Sequence, residues 1–277
     1  MILTKRIILT ALWGVVFLNM TAQLRTGLPE PKNGGVYVIA HRGAHNGIPE
    51  NSLPAFQKAI DLGCDFVEID TRKTKDGAIV SVHNSTIDKY VEGQKGKVKS
   101  FTLAELKQMD IGAKTGDEWK GTEIPAVEEI LQLCSGKTGV YIDLKEPLVT
   151  GMVELLKKYD MQSKAVWYVP AFFMHRIQSV NKMCSECYVM PDPGKAKNIK
   201  RVVRKSHAAV IATDMSKLTE EFVKTAHENG AMVFVDEDKG TPEEWAKIIS
   251  WGTDGIQTDK PEKLIEFLKN RKMKSHK

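Results

Sequence analysis

Three short clusters carry side chains that could do chemistry together: His41-Arg42-Gly43, Glu68-Ile69-Asp70 and His83. Each stands at the end of an apolar run of strand length, Val36–Ala40, the run through Phe66-Val67, and Ala78–Val82. Glu68 and Asp70 are two positions apart, so on a strand both carboxylates leave the same face. Carboxylates held side by side repel each other unless a cation lies between them. A hard divalent ion such as Ca²⁺ or Mg²⁺, which prefers oxygen ligands, does this best. Two imidazoles and a guanidinium beside one such ion suit a phosphate ester: the ion and Arg42 neutralise the anion, while His41 and His83 move protons.

For these clusters to meet, the strand ends must open onto one face, as they do in a parallel β/α barrel. The rest of the chain supplies that rhythm. Further strands are expected at Gly139–Leu144, Ala165–Val169, Cys187–Met190, Ala208–Ala212, Met232–Val235 and Gly255–Gln257. Helical spacing fills the gaps, from Ser52–Leu62, which ends at Gly63, to Pro242–Ser250 and Pro261–Asn270. The expectation is an α/β fold, a (β/α)8 barrel, although nine strand candidates compete for eight places. Thr71–Gly77 is read as an extended return that makes Ala78–His83 a third parallel strand and puts His83 on the face of Asp70. An antiparallel hairpin is the competing reading, expected to send His83 to the wrong end. Ser85–Glu123, rich in glycine, reads as a loop insertion after the third strand that shapes the pocket.

Composition bounds the classes. The chain has 277 residues, 42% hydrophobic and 27% charged, with a net charge of +5, values that fit a globular protein. No Lys/Arg block alternates with aromatics, so nucleic acid is not an expected partner. Residues 1–22 read as a signal peptide, with Lys5-Arg6 ahead of the apolar Ile7–Leu18, which leaves 23–277 as one exported domain, periplasmic or secreted. A retained anchor is the alternative, but the stretch is shorter than the roughly twenty apolar residues of a full span. Cys64 and Cys134 read as core; Cys184 and Cys187 could form a local disulfide or stay free.

From His41 to Asn84 the order H-R-G, P-E-N-S-L-P-A-F, G-x-D-x-x-E-x-D and D-G-x-x-V-x-V-H resembles the N-terminal signature of the glycerophosphodiester phosphodiesterases. Asp254-Gly255-Ile256-Gln257-Thr258-Asp259-Lys260-Pro261 is similar to the family's closing motif. The resemblance implies a metal-dependent phosphodiesterase that hydrolyses glycerophosphodiesters, the deacylated phospholipids, to glycerol 3-phosphate and an alcohol. It implies one divalent cation on Glu68, Asp70 and a third carboxylate, here Asp143, where the family's Glu-x-Lys pair is Asp143-x-Lys145. His41 would then be general base and His83 general acid, with Arg42, Lys145 and Asn51 toward the substrate. Asn84 replaces the family's aspartate after the second histidine, and the usual Trp-Thr-Val-Asn run gives way to Phe234-Val235-Asp236-Glu237-Asp238. A phospholipase C- or D-like cut of intact phospholipid, which needs an apolar rim on the insertion, and a catalytically weak phosphodiester-binding barrel are the alternatives. His45, His175, His207 and His227 have no partner pattern and read as surface or loop residues. Phe172 and Phe173 could touch substrate or serve the core.

Overall fold

Short apolar strands alternate with amphipathic helices and wind into a nearly closed parallel barrel. A computed structural model of the chain describes residues 27–275. The strands are β1 (Tyr37–Ala40), β2 (Phe66–Lys73), β3 (Ile79–Ser81), β4 (Gly139–Asp143), β5 (Ala165–Pro170), β6 (Tyr188–Asp192), β7 (Val210–Asp214), β8 (Met232–Asp236) and β9 (Gly255–Thr258). All but β3 form the wall, in the order β6-β5-β4-β2-β1-β9-β8-β7, with every ladder parallel. β6 then packs against β7 and nearly closes the circle. The helices are α1 (Leu53–Leu62), α2 (Leu103–Lys107), α3 (Val127–Cys134), α4 (Val149–Lys158), α5 (Met174–Met183), α6 (Ile199–Ser206), α7 (Glu220–Glu228), α8 (Pro242–Ser250) and α9 (Pro261–Ser275).

The strands bury both faces, as a parallel sheet must. Inward side chains Tyr37, Phe66, Tyr141, Val166, Met190, Val210 and Phe234 fill the barrel, and the Tyr37 ring touches those of Phe66 and Phe234. Outward side chains such as Val38, Val67, Ile142, Trp167 and Ile256 meet the helices. Each fully buried large side chain contributes about 1.5–3 kcal/mol. The helices begin where their sequence says: Ser52 caps α1 by accepting from the Ala55 amide, and Thr241 caps α8 by accepting from Glu244.

The structure corrects the reading of the second connection. β3 is not a barrel strand: it pairs antiparallel with β2, Thr71 opposite Ser81 and Lys73 opposite Ile79. The physical reason is the turn, in which Gly77 at φ 92° lets its amide reach the Thr74 carbonyl at 3.2 Å. The expected penalty of a hairpin does not follow either. β2 leaves its ladder with β4 at Asp70 and runs on through Lys73 above the rim. β3 therefore descends again, and the Val82 amide bonds the Asp70 carbonyl at 2.9 Å, which returns His83 to the level of Asp70.

The insertion accordingly follows this hairpin rather than a third barrel strand. Its apolar residues, Ile87, Val91, Val98, Leu106 and Ile111, form a separate small core with Val80, Val82 and Ile124, leaving polar groups outside. The Trp119 indole N–H donates to the Gly47 carbonyl at 2.7 Å and ties the insertion to the loop after β1.

Cys184 and Cys187 are joined by a disulfide just after α5. Cys64 and Cys134 are free and buried, and burial pushes both thiols up to about 12. The signal-peptide expectation for residues 1–22 lies outside the described residues. Within them, no helix is long and apolar enough to cross a membrane.

Candidate active site

β1 ends at Ala40, and the chain then turns sharply through His41-Arg42-Gly43. Arg42 adopts the left-handed conformation (φ 53°), and this aims its amide at Glu68 Oε2, 2.8 Å away. Such a conformation in a non-glycine residue costs roughly 1–3 kcal/mol and collects at working sites. Gly43 completes the turn at φ 85°, where a Cβ would lie 2.8 Å from the Ala55 carbonyl carbon. Gly43→Ala is therefore expected to lower stability by about 1–3 kcal/mol, seen as a fall in Tm, and to shift Arg42 out of the site.

Glu68 and Asp70 are both buried, on the inner face of β2, and Asp143 ends the neighbouring β4 directly opposite Asp70. One oxygen from each of the three lies within 4.8 Å of the others. The cations close to them are side chains. Lys145 Nζ stands 2.6 Å from Asp143 Oδ2 and 3.0 Å from Asp70 Oδ1, while Arg42 Nε is 3.5 Å from Asp70 Oδ2. The balance is incomplete. Burial, then the charges of Asp70 and Asp143, push the Glu68 carboxyl well above its ordinary range. Burial also raises Asp143, although Lys145 opposes it. Burial acts on Asp70 as well, but Lys145 and the Asn51 amide more than offset it, and its carboxyl stays below the usual value. A hard divalent cation fits this donor set, three convergent carboxylate oxygens with more negative charge than the local cations neutralise, while the buried Arg42 Nε, without a hydrogen-bond partner, is left to an anion.

Asn51 occupies a different place from the one its motif implied. It is buried behind Asp70, donating to Asp70 Oδ2 at 2.8 Å and accepting from the Ser81 hydroxyl. Ser81 in turn accepts from the Asp70 amide at 3.2 Å. Asn51 and Ser81 hold the carboxylate still; they do not line the opening. Arg42 is steadied by Glu50, both of whose oxygens stand 3.2 Å from its terminal nitrogen.

His83 hangs from the hairpin. Its Nδ1 is 3.0 Å from Asn84 Oδ1, and the guanidinium of Arg72 donates to the Val82 carbonyl at 3.0 Å and to that of His83. Burial lowers the imidazole pKa below its ordinary 6.5; the Asn84 hydrogen bond and Asp70 only partly oppose this. On the opposite side His41 Nδ1 is 2.7 Å from Asp259 Oδ1, and His45 Nε2 is 3.0 Å from the same oxygen. These bonds hold the Asp259 carboxyl far below the usual range. His45 thus belongs to the site, contrary to its reading as an unpartnered loop residue. Asp259, which the sequence shows only as a member of the closing motif, is the common partner of both rings. His227 also has a partner, Asp254 Oδ2 at 2.9 Å, away from the site, and that carboxylate also accepts the Val233 amide. Phe234 packs inside the barrel and supplies no wall, while Asp236 next to it faces the mouth, within range of His41, Arg42 and Asp259.

Known proteins resemble this chain along its length. Residues 41–176 match the model of the Glycerophosphoryl diester phosphodiesterase family. A glycerophosphodiester phosphodiesterase of Caldanaerobacter subterraneus is 31% identical over 84% of this chain and 97% of its own. A phosphodiesterase of Oleispira antarctica, solved with its product sn-glycerol-3-phosphate, shares the fold at a TM-score of 0.77 and 24% identity, covering 88% of this chain and 98% of that one. A glycerophosphodiester phosphodiesterase of Agrobacterium tumefaciens covers 83% and 99% at a TM-score of 0.75 and 24% identity. With a matching family model, a relative this similar over nearly its full length and the same barrel, the chain belongs to the glycerophosphoryl diester phosphodiesterase family.

Proposed function

We propose that the protein is a metal-dependent phosphodiesterase that hydrolyses glycerophosphodiesters to glycerol 3-phosphate and an alcohol. One observation carries this reading: three carboxylates, Arg42, Lys145 and two histidines converge at the mouth from β1, β2, β4 and the hairpin. Glu68, Asp70 and Asp143 are the residues that would hold a divalent ion, Ca²⁺ or Mg²⁺. When bound, it supplies Lewis acidity and charge at the phosphoryl oxygens.

The chain's own groups do the rest. Arg42 and Lys145 bind the anionic phosphate, and Glu50 fixes the guanidinium for it. The Asp259 carboxylate accepts from His41 Nδ1–H, a tautomer assigned from this bond, so Nε2 is free to take a proton from the attacking hydroxyl. His83 passes a proton to the departing alcohol. Its Nδ1–H is held by Asn84, which leaves Nε2 toward the mouth as the site of exchange. Attack forms the new P–O bond, and the alcohol leaves with the electron pair of the broken one.

The polar surface of the insertion, whose apolar residues are consumed by its own core, supports small water-soluble diesters over intact phospholipid. The apolar Ile7–Leu18 behind Lys5-Arg6 supports export. The test is release of choline, ethanolamine, inositol or glycerol from a panel of glycerophosphodiesters, with and without chelator. Turnover of at least one member that stops with chelator and returns with Ca²⁺ or Mg²⁺ is expected. Chelator-insensitive turnover contradicts the metal role, and no turnover on any member overturns the reading.

A further inference from the structure

Residues 174–213 hold eight Lys or Arg against two acidic residues, so this stretch alone carries more than the whole chain's net charge of +5. The concentration sits on α6 and the turn before it. Lys195, Lys197, Lys200, Arg201, Arg204 and Lys205 are all exposed, while Ile199, Val202 and Ser206 are buried against the barrel. None of the six forms an ion pair or a side-chain hydrogen bond with another described residue. Other helices behave differently: Lys224 on α7 reaches Glu228 at 4.0 Å, and Lys158 on α4 pairs with Glu128. One of the two acids in the stretch, Asp192, faces Lys217 at 3.4 Å. Uncompensated like charges repel each other, and their field reaches outward.

A second feature lies on the adjoining spoke of the barrel. Phe172, between β5 and α5, is 78% exposed and is one of two large apolar side chains exposed among the described residues. Its ring lies 4.2 Å from that of Phe173, tilted by 45°, and the Arg176 guanidinium lies over the Phe173 ring at 4.0 Å. Because helices of a parallel barrel start at the strand ends, Phe172, Lys195, Lys197 and the first turn of α6 stand on the same rim as the catalytic groups. We propose that the face made by α6 and the Phe172 turn docks on an anionic phospholipid bilayer. A row of cations flanked by an aromatic side chain is what the interface of such a bilayer attracts. The cations lie on a convex helix rather than in a groove that could track a strand, which disfavours nucleic acid. The choice of lipid also leans on the proposed activity, since deacylated lipids derive from membranes. Docking would keep the mouth close to the place where such substrates form.

The experiment is co-sedimentation of the full chain with vesicles of mixed phosphatidylglycerol and phosphatidylcholine, and with pure phosphatidylcholine, at two salt concentrations. It is repeated with the variant K200E/R201E/R204E/K205E, whose exposed sites leave folding intact as checked by Tm. Both proteins keep the same N-terminal apolar stretch, so their difference isolates the helix. Partitioning onto anionic vesicles at least about tenfold stronger than onto neutral ones, weakened by salt and lost in the variant, is expected. Turnover of a soluble glycerophosphodiester should be the same for both proteins, and since binding is read without turnover, failure of the activity leaves the docking result standing. Equal partitioning of the two proteins, or no preference for anionic vesicles, overturns the proposal. So does retention on duplex DNA or RNA that exceeds retention on anionic vesicles.

Discussion

Alanine at His41 or at His83 is expected to lower turnover of a glycerophosphodiester by about 10²–10⁴ each, the usual worth of a positioned proton-transfer group. Neither change should unfold the protein. Both rings lie at the mouth, partly exposed, and each gives up one side-chain hydrogen bond worth about 0.5–1.5 kcal/mol. Steady-state kinetics beside a thermal melt separates the two outcomes. His83→Ala turnover within tenfold of wild type would remove its assignment. The pH profile adds a directional test. Burial places the His83 pKa below 6.5, so its acid form is present below that lowered value and is lost as pH rises through it. The decline of kcat/KM on the alkaline side should therefore begin below the ordinary imidazole value, and should be absent from the residual activity of His83→Ala.

The second large effect concerns the acidic triad. Glu68, Asp70 and Asp143 are held within reach of one another by two parallel strands, and two of the three are pushed toward protonation. A divalent ion that binds the folded chain and not the unfolded one stabilises it by about 2.7 kcal/mol at one hundred times its Kd. For a barrel of this size that corresponds to a rise in Tm of roughly 5–10 °C. Removing one ligand by Asp70→Ala should abolish the metal-dependent rise together with turnover. The Lys145 ammonium then loses one of its two carboxylate partners. An unchanged Tm for wild type across a Ca²⁺ and Mg²⁺ titration, measured by calorimetry, would count against the triad as a metal centre.

Most of the site was legible because its residues follow apolar runs whose period identifies them as strands. His41, Glu68, Asp70 and Asp143 needed only the parallel barrel to be brought to one mouth. The second connection was misread because a short polar link between two apolar runs permits either a crossover or a hairpin. Asp76-Gly77 is the hairpin signal in that link, yet how far β2 climbs beyond the rim depends on pairing with β3, which residue types do not reveal. Asn51 was placed on the substrate side because its motif neighbours are. Only the left-handed backbone at Asn51 (φ 54°) and the Ser81 hydroxyl show that it turns inward to Asp70. His45 escaped notice for a simpler reason: its partner Asp259 lies 214 positions away. The α6 cations are plain in the sequence, but that they lie unpaired on one outer face is a property of the packing.

His83 is mounted on a hairpin outside the barrel wall, at the root of the insertion, whereas the carboxylates stand on the wall itself. Lengthening or reshaping that excursion can retune how the departing alcohol is received without disturbing the apparatus that grips phosphate. With the roles proposed above, leaving-group preference and phosphoryl recognition rest on mechanically separate parts of this scaffold, and exchanging the excursion between relatives is expected to change head-group selectivity.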